Sequence, residues 1–293
     1  MNIGGAVFGP AIVAGLIWLA VFRLWRRKSI HDKGHWGGAL ALGTGIIAGY
    51  IALLGVPPLK PSQAVDWLPY MSAVAVIGGV GQPWWGRKWF TFIPVLFLLA
   101  AIVLSIQLQN KIRYSWDGIE IAIWIGGLAG AVSLVGWNLE RVADRRTGVS
   151  MPLAMWTWCA MGSVLLVLSG SALLGQIMGG LAAVFGAAVV LAWWNKGFTL
   201  TQGAMSVLAL LYGSLLAQGY FYAETPMVSA VLAAGAPLVL WYGERRKVFY
   251  SAPFKAALWR MLYIAVPMGI ALLVAGYFYS QSGSGGEYDY YSY

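Results

Sequence analysis

Charge is what this sequence has least of. Only 10% of its 293 residues are Asp, Glu, Lys or Arg, against roughly 25% in an average soluble domain. A soluble chain of this length needs far more polar surface to cover its core. The solvent for most of this surface is therefore lipid. Cysteine is nearly absent too. The one residue, Cys159, lies in an apolar run and excludes an internal disulfide framework. It reads as a small buried apolar side chain.

Histidine is confined to His31 and His35, both in the loop segment SIHDKGHW. Without a His inside an apolar run, a buried bis-His haem is excluded. An intramembrane serine protease lacks its base for the same reason. The i, i+4 spacing suits a metal on a helix, but Gly34 interrupts it and only Asp32 is at hand, so no metal site is expected. HExxH, GxxxxGK[ST] and CxxC are missing, as is any pair of intramembrane Asp. Asp-rich loops of the kind that hold magnesium and a polyprenyl phosphate are missing as well. The acids of the basic loops are Asp32, Glu140, Asp144 and Glu244, one or two per loop. No catalytic residue and no cofactor is expected.

What is present is long apolar sequence. Hydrophobic residues make up 60% of the chain, and 38 Gly accompany them. Small residues let helices approach closely in a bilayer. Continuous apolar runs favour helices over a barrel, whose strands alternate polar and apolar residues. Runs of about 17–25 apolar residues cross a bilayer. They are read at 5–22, 36–56, 67–83, 90–108, 118–138, 152–170, 173–194, 200–223, 226–243 and 258–279. The uncharged stretch 151–195 would make roughly 67 Å of helix, more than twice the hydrocarbon thickness. It must fold back, and Ser169-Gly170-Ser171 is the natural turn. The fold class is thus an all-α polytopic bundle of about ten spans. Residues 1–279 form one membrane domain, divisible into halves 1–138 and 152–279. An odd number of spans per half suits an inverted repeat, although no sequence match between the halves is visible. The Gly/Ser- and Tyr-rich residues 280–293 read as a flexible tail. The alternative for them is a docking peptide for a protein partner.

Lys and Arg collect in cytoplasmic loops. After runs 1, 3, 5, 7 and 9 stand Arg23, Arg26, Arg27, Lys28, Lys33; Arg87, Lys88; Arg141, Arg145, Arg146; Lys196; and Arg245, Arg246, Lys247, Lys255, Arg260. The intervening loops hold only Lys60, Lys111 and Arg113. This alternation predicts both termini on the non-cytoplasmic side. It explains the net charge of +9 without nucleic acid, and it draws anionic lipid to the cytoplasmic face. The N-terminus has no basic residue before its apolar run and reads as a retained first helix. A bacterial inner membrane is the expected location.

Two stretches, GQPWWGRKWF and WWNKGF, then read as membrane-interface anchors. Their residues are Trp84, Trp85, Arg87, Lys88, Trp89, Trp193, Trp194 and Lys196. Trp rings settle at headgroup level with Lys and Arg snorkelling beside them. Apart from Arg260, counted with the loop cations, the assigned spans contain one charged group, Glu120. Asp117-Gly-Ile-Glu120 has capping-box spacing; the competing reading is an ion or substrate site. Gln218 and Ser214 share a helix face at i, i+4 and are the other candidates for substrate contact. Pro94, Pro237 and Pro267 fall inside spans and free backbone carbonyls there.

Three functions remain open: a permease or channel for a neutral or lipid-like solute, a non-catalytic structural or assembly subunit of a membrane complex, and a lipid-modifying enzyme. In a Cys159→Ser background, single cysteines at positions 145 and 293 should react with impermeant thiol reagents from opposite sides of the membrane. Labelling of both from one side would overturn the ten-span reading.

Overall fold

The structure is a computed structural model. It describes residues 3–24, 35–85, 89–144, 146–195, 197–200, 203–245 and 253–284. The described residues form helices and connecting turns, with no strand among them. In chain order the helices are α1 Ile3–Leu24, α2 His35–Leu54, α3 Leu68–Trp85, α4 Trp89–Gln107, α5 Gln109–Tyr114, α6 Gly118–Ala143, α7 Ser150–Leu168, α8 Ala172–Trp194, α9 Ala204–Tyr222, α10 Met227–Gly235, α11 Val239–Arg245 and α12 Pro253–Ser284.

Among the described residues, seven helical segments are long and apolar enough to cross a bilayer. They are α2, α6, α7, α8, α9, the α10–α11 pair and α12. Each of the ten expected runs coincides with helix. Helices α1 and α4 contribute shorter apolar stretches, Phe8–Val21 and Thr91–Gln107. Helix α3 carries Gly78, Gly79, Gly81, Gln82 and Pro83, which dilute its apolar character.

Three boundaries differ from expectation. Helix α6 runs on past residue 138 to Ala143, because Leu139, Glu140, Arg141 and Ala143 are good helix formers. Helix α12 begins at Pro253 and continues to Ser284, into the segment read as tail. The run at 226–243 is broken by a 3₁₀ turn, Ala236–Leu238. Pro237 cannot donate the i→i−4 bond that a continuous helix needs there.

Helix α9 is the centre. Its membrane window is 83% buried, against 22% for α12 and 28% for α6. It packs against α2, α3, α4, α6 and α10. A helix apolar on every side belongs inside a bundle, and Ala204, Ala209, Gly213 and Ala217 keep α9 slim enough for it. Four of the buried hydroxyls find their partner within their own helix. Ser72, Ser133, Thr157 and Ser169 each donate to the carbonyl four residues back, as Ser and Thr commonly do within helices.

The loops gather at two ends. At the basic end the α6–α7 and α8–α9 connections meet through Gly148 N–H donating to the Phe198 carbonyl at 2.8 Å. Trp18 of α1 packs edge-on against Phe198 there. At the far end Tyr50 Oη donates to Asp66 at 2.8 Å, and Tyr70 Oη to the Pro58 carbonyl. The uncharged connection at 169–171 makes the expected turn, with Gly170 at φ +88°.

Helix α3 and the start of α9 approach closely. Gly203 has φ +92°, and a Cβ there would lie 2.0 Å from the Gly79 carbonyl oxygen. Only glycine tolerates both conditions. Gly203→Ala should therefore destabilise the fold by about 2–4 kcal/mol, read as a lowered thermal unfolding midpoint in detergent. An unchanged midpoint would contradict this packing.

Candidate functional site

Polar chemistry inside the bundle is concentrated at the basic end, on residues that the sequence reading had placed in loops. Glu140 belongs to the last turn of α6 and is only 6% exposed. Its Oε1 accepts from the backbone N–H of Gly203 at 2.9 Å, from that of Ser206 at 3.1 Å, and from Ser206 Oγ at 3.2 Å. These are donors at the open start of α9, which no helix partner can satisfy. A carboxylate also favours the positive end of the helix dipole. Glu140 thus caps α9 from another helix and fastens α6 to it.

A second cluster holds the broken helix. Glu244 near the end of α11 accepts from Arg146 Nη2 at 2.5 Å and from Arg260 Nη2 at 2.7 Å. Arg260, two turns into α12, is 1% exposed and also donates to Ser150 Oγ at the start of α7. One carboxylate therefore ties the α6–α7 connection, α11 and α12 together. Glu140, Glu244 and Arg260 are interior groups, which corrects their assignment to loops. The helix-forming run LERVA after residue 138 was the available signal for Glu140.

The freed carbonyl at the break has found a donor. Pro237 leaves the Ala233 carbonyl without its i+4 N–H. Trp158 Nε1 of α7 fills the vacancy at 2.9 Å. The Trp158 ring stacks on Tyr212 of α9, with centroids 3.8 Å apart and planes 21° from parallel. Both residues are 1% exposed.

Beside this pair lies a crevice of about 310 Å³. Helix α9 forms its floor with Ala209, Gly213 and Ala217, α6 one rim with Trp124, Ala131 and Leu134, and α10 the other with Met227 and Val231. No charged residue lines it. Leu134, Met227 and Val231 are each about half exposed or more, so the crevice opens sideways between α6 and α10. At the far end Trp116, Trp124, Tyr220 and Phe221 form an aromatic cluster, with Trp124 and Tyr220 centroids 5.7 Å apart.

The residues singled out from sequence lie elsewhere. Asp117 and Glu120 form the capping box in full. Asp117 accepts from the Glu120 N–H at 2.8 Å, and Glu120 accepts from the Asp117 N–H at 3.2 Å, both exposed. Ser214 and Gln218 are buried on α9, and Gln218 Nε2 donates to the Ala64 carbonyl at 3.4 Å. None of these four lines the crevice. Trp193 and Trp194 end α8 and are 66% and 78% exposed. Trp84 and Trp85 end α3 and Trp89 opens α4, whereas Arg87, Lys88 and Lys196 lie outside the described residues, as do His31 and Asp32. No group of His, Cys, Asp and Glu able to hold a metal occurs among the described residues. No protein-family model matches the chain, and no curated protein matches it.

Glu140→Ala leaves two buried N–H groups and a hydroxyl without their acceptor, at about 1–3 kcal/mol each. The thermal midpoint should fall far more than for Glu120→Ala, whose cap faces solvent. Glu140→Gln, which keeps an acceptor oxygen, should recover much of the loss. Equal effects of the two alanine variants would contradict the capping role of Glu140.

Proposed function

We propose that this chain is a multi-pass integral membrane protein that carries a neutral, lipid-like solute, working as a permease. The sideways-open apolar crevice is the observation that carries this reading. A pathway for ions or polar solutes needs intramembrane charge or polar groups along it, whereas the crevice is uncharged and apolar but for its Tyr and Trp polar atoms. A lipid-modifying enzyme is disfavoured because no carboxylate, His or Cys lines the crevice.

In this reading the ten expected runs all cross the bilayer. The basic end faces the cytoplasm and anionic lipid, both termini lie on the other side, and the setting is a bacterial inner membrane. The support is the alternation of Lys and Arg between loops, together with the gathering of the described basic-loop residues at one end of the bundle. The Trp-rich ends of α3 and α8 serve as interface anchors. A structural or assembly subunit is the second reading. It is favoured by α12, whose long apolar face is left open, with Leu262, Val266, Ile270 and Leu273 exposed. The Tyr-rich tail would then dock a partner.

Reconstitution separates the two. Vesicles containing the protein and a fluorescent phosphatidylcholine should show transbilayer movement well above that of protein-free vesicles, measured by bleaching with an impermeant reductant. Bleaching that stops at the outer leaflet would overturn the carrier reading.

A further inference from the structure

We infer that the crevice holds a single hydrocarbon chain of a bilayer lipid, admitted sideways between α6 and α10 and laid along the Trp158–Tyr212 pair. This rests on the lipid-handling reading above and names the part of the lipid that is recognised. The crevice is elongated along the helices. Its α6 rim runs from Trp124 to Val135, roughly 16 Å at the helical rise. With carbon–carbon bonds of about 1.5 Å in an extended zigzag, that span takes about a dozen carbons.

The lining fits a chain and not a head group. Ala131, Ala209, Gly213, Ala217 and Ala234 present small side chains along the length. Because no charge is available there, a phosphate or an amine would be stranded without partners. The polar end of the lipid therefore stays at the far end, where Trp124 and Tyr220 meet. Aromatic rings of this kind settle at headgroup depth. Entry from the side needs no opening of the bundle, since the exposed rims at Leu134 and Val231 already face the surface that lipid covers.

The wall formed by Trp158 and Tyr212 is built to stay in place. Trp158 is fixed by its bond to the Ala233 carbonyl, which exists because Pro237 interrupts α10. Tyr212 stacks on Trp158 and lies against Gly162, where an added Cβ would come within 2.6 Å of its hydroxyl oxygen. Neither ring has room to swing aside. The distance from the aromatic mouth to the basic-end limit of the crevice, at Val135, Ala209 and Leu238, acts as a ruler for chain length.

The test uses the full protein in phosphatidylcholine nanodiscs doped with phosphatidylcholines whose acyl chains, of graded length, end in a diazirine. After photolysis, adducts near Val135, Ala209 and Leu238 should peak for chains of about a dozen carbons. They should fall severalfold for shorter chains and in Ala131→Phe and Val231→Trp, which block the rims at exposed positions that tolerate larger side chains. Adducts spread over the exposed faces of α4 and α12 without preference for chain length would overturn the inference. So would labelling that both rim variants leave unchanged. Length-selective labelling in a protein that moves no lipid across vesicles would sustain the chain site and remove the transport reading. Lipid movement without crevice labelling would do the reverse.

Discussion

Inside a bilayer no water is at hand to satisfy a stray backbone group, so every N–H and C=O must find its partner in the protein. That constraint is most acute at the start of α9, the most buried helix. Gly203 must adopt a left-handed conformation for α9 to start hard against α3, and a glycine brings no side chain to cap the helix. Glu140 supplies the missing acceptor from α6. The same logic explains Trp158 at the break in α10. Two irregularities that would be prohibitive in hydrocarbon are each answered by one side chain from a neighbouring helix. Those two side chains also position the walls of the crevice.

The helices were legible in the sequence because hydropathy accumulates locally and needs no knowledge of neighbours. The Asp117 capping box was legible for the same reason: its donors and acceptors lie three residues apart. Pro237 announced a break, but not what would pair with the carbonyl it frees. The Glu140 cap was hidden, since its donors lie 63 and 66 residues away. Drawing span boundaries where charge begins also misled. Glu140, Glu244 and Arg260 look like loop residues because each is ionisable, yet helix and burial continue through them. The crevice had no local signature at all. It is a gap between α6 and α10, and residues as unremarkable as Ala131 and Val231 define it.

The Glu244 cluster divides the broken helix into two parts with different duties. A buried ion pair is weak evidence for stability, because desolvation of the charges offsets much of their attraction. Its clearer consequence is geometric. With both Arg146 and Arg260 on one carboxylate, α11 is held to α12 and to the α6–α7 connection. Helix α10, beyond the 3₁₀ turn, is left with a largely apolar exterior and with Ser229, donating to the Ala271 carbonyl, as a polar tie to α12. The charged end therefore anchors the break, and the apolar half beyond it forms the rim.

A crevice of this kind binds by shape. Moving a hydrocarbon chain from lipid into an apolar protein groove gains nothing from the hydrophobic effect, because the chain is already out of water. What remains is dispersion, which falls away quickly once a gap opens between surfaces. The small residues of α9 and the fixed rings of Trp158 and Tyr212 supply a close-fitting surface at little entropic cost, since neither ring must be ordered on binding. The resulting affinity is modest and depends on fit. A ligand held this way exchanges with the bilayer instead of becoming trapped, and a carrier that takes its substrate from the membrane and returns it there needs that property. In the proposed carrier reading, the scarcity of charge that first marked the sequence also suits the site. A carboxylate or guanidinium along the crevice would have to be desolvated beside every chain that entered, whereas here the ionisable groups of the described bundle stand at its ends.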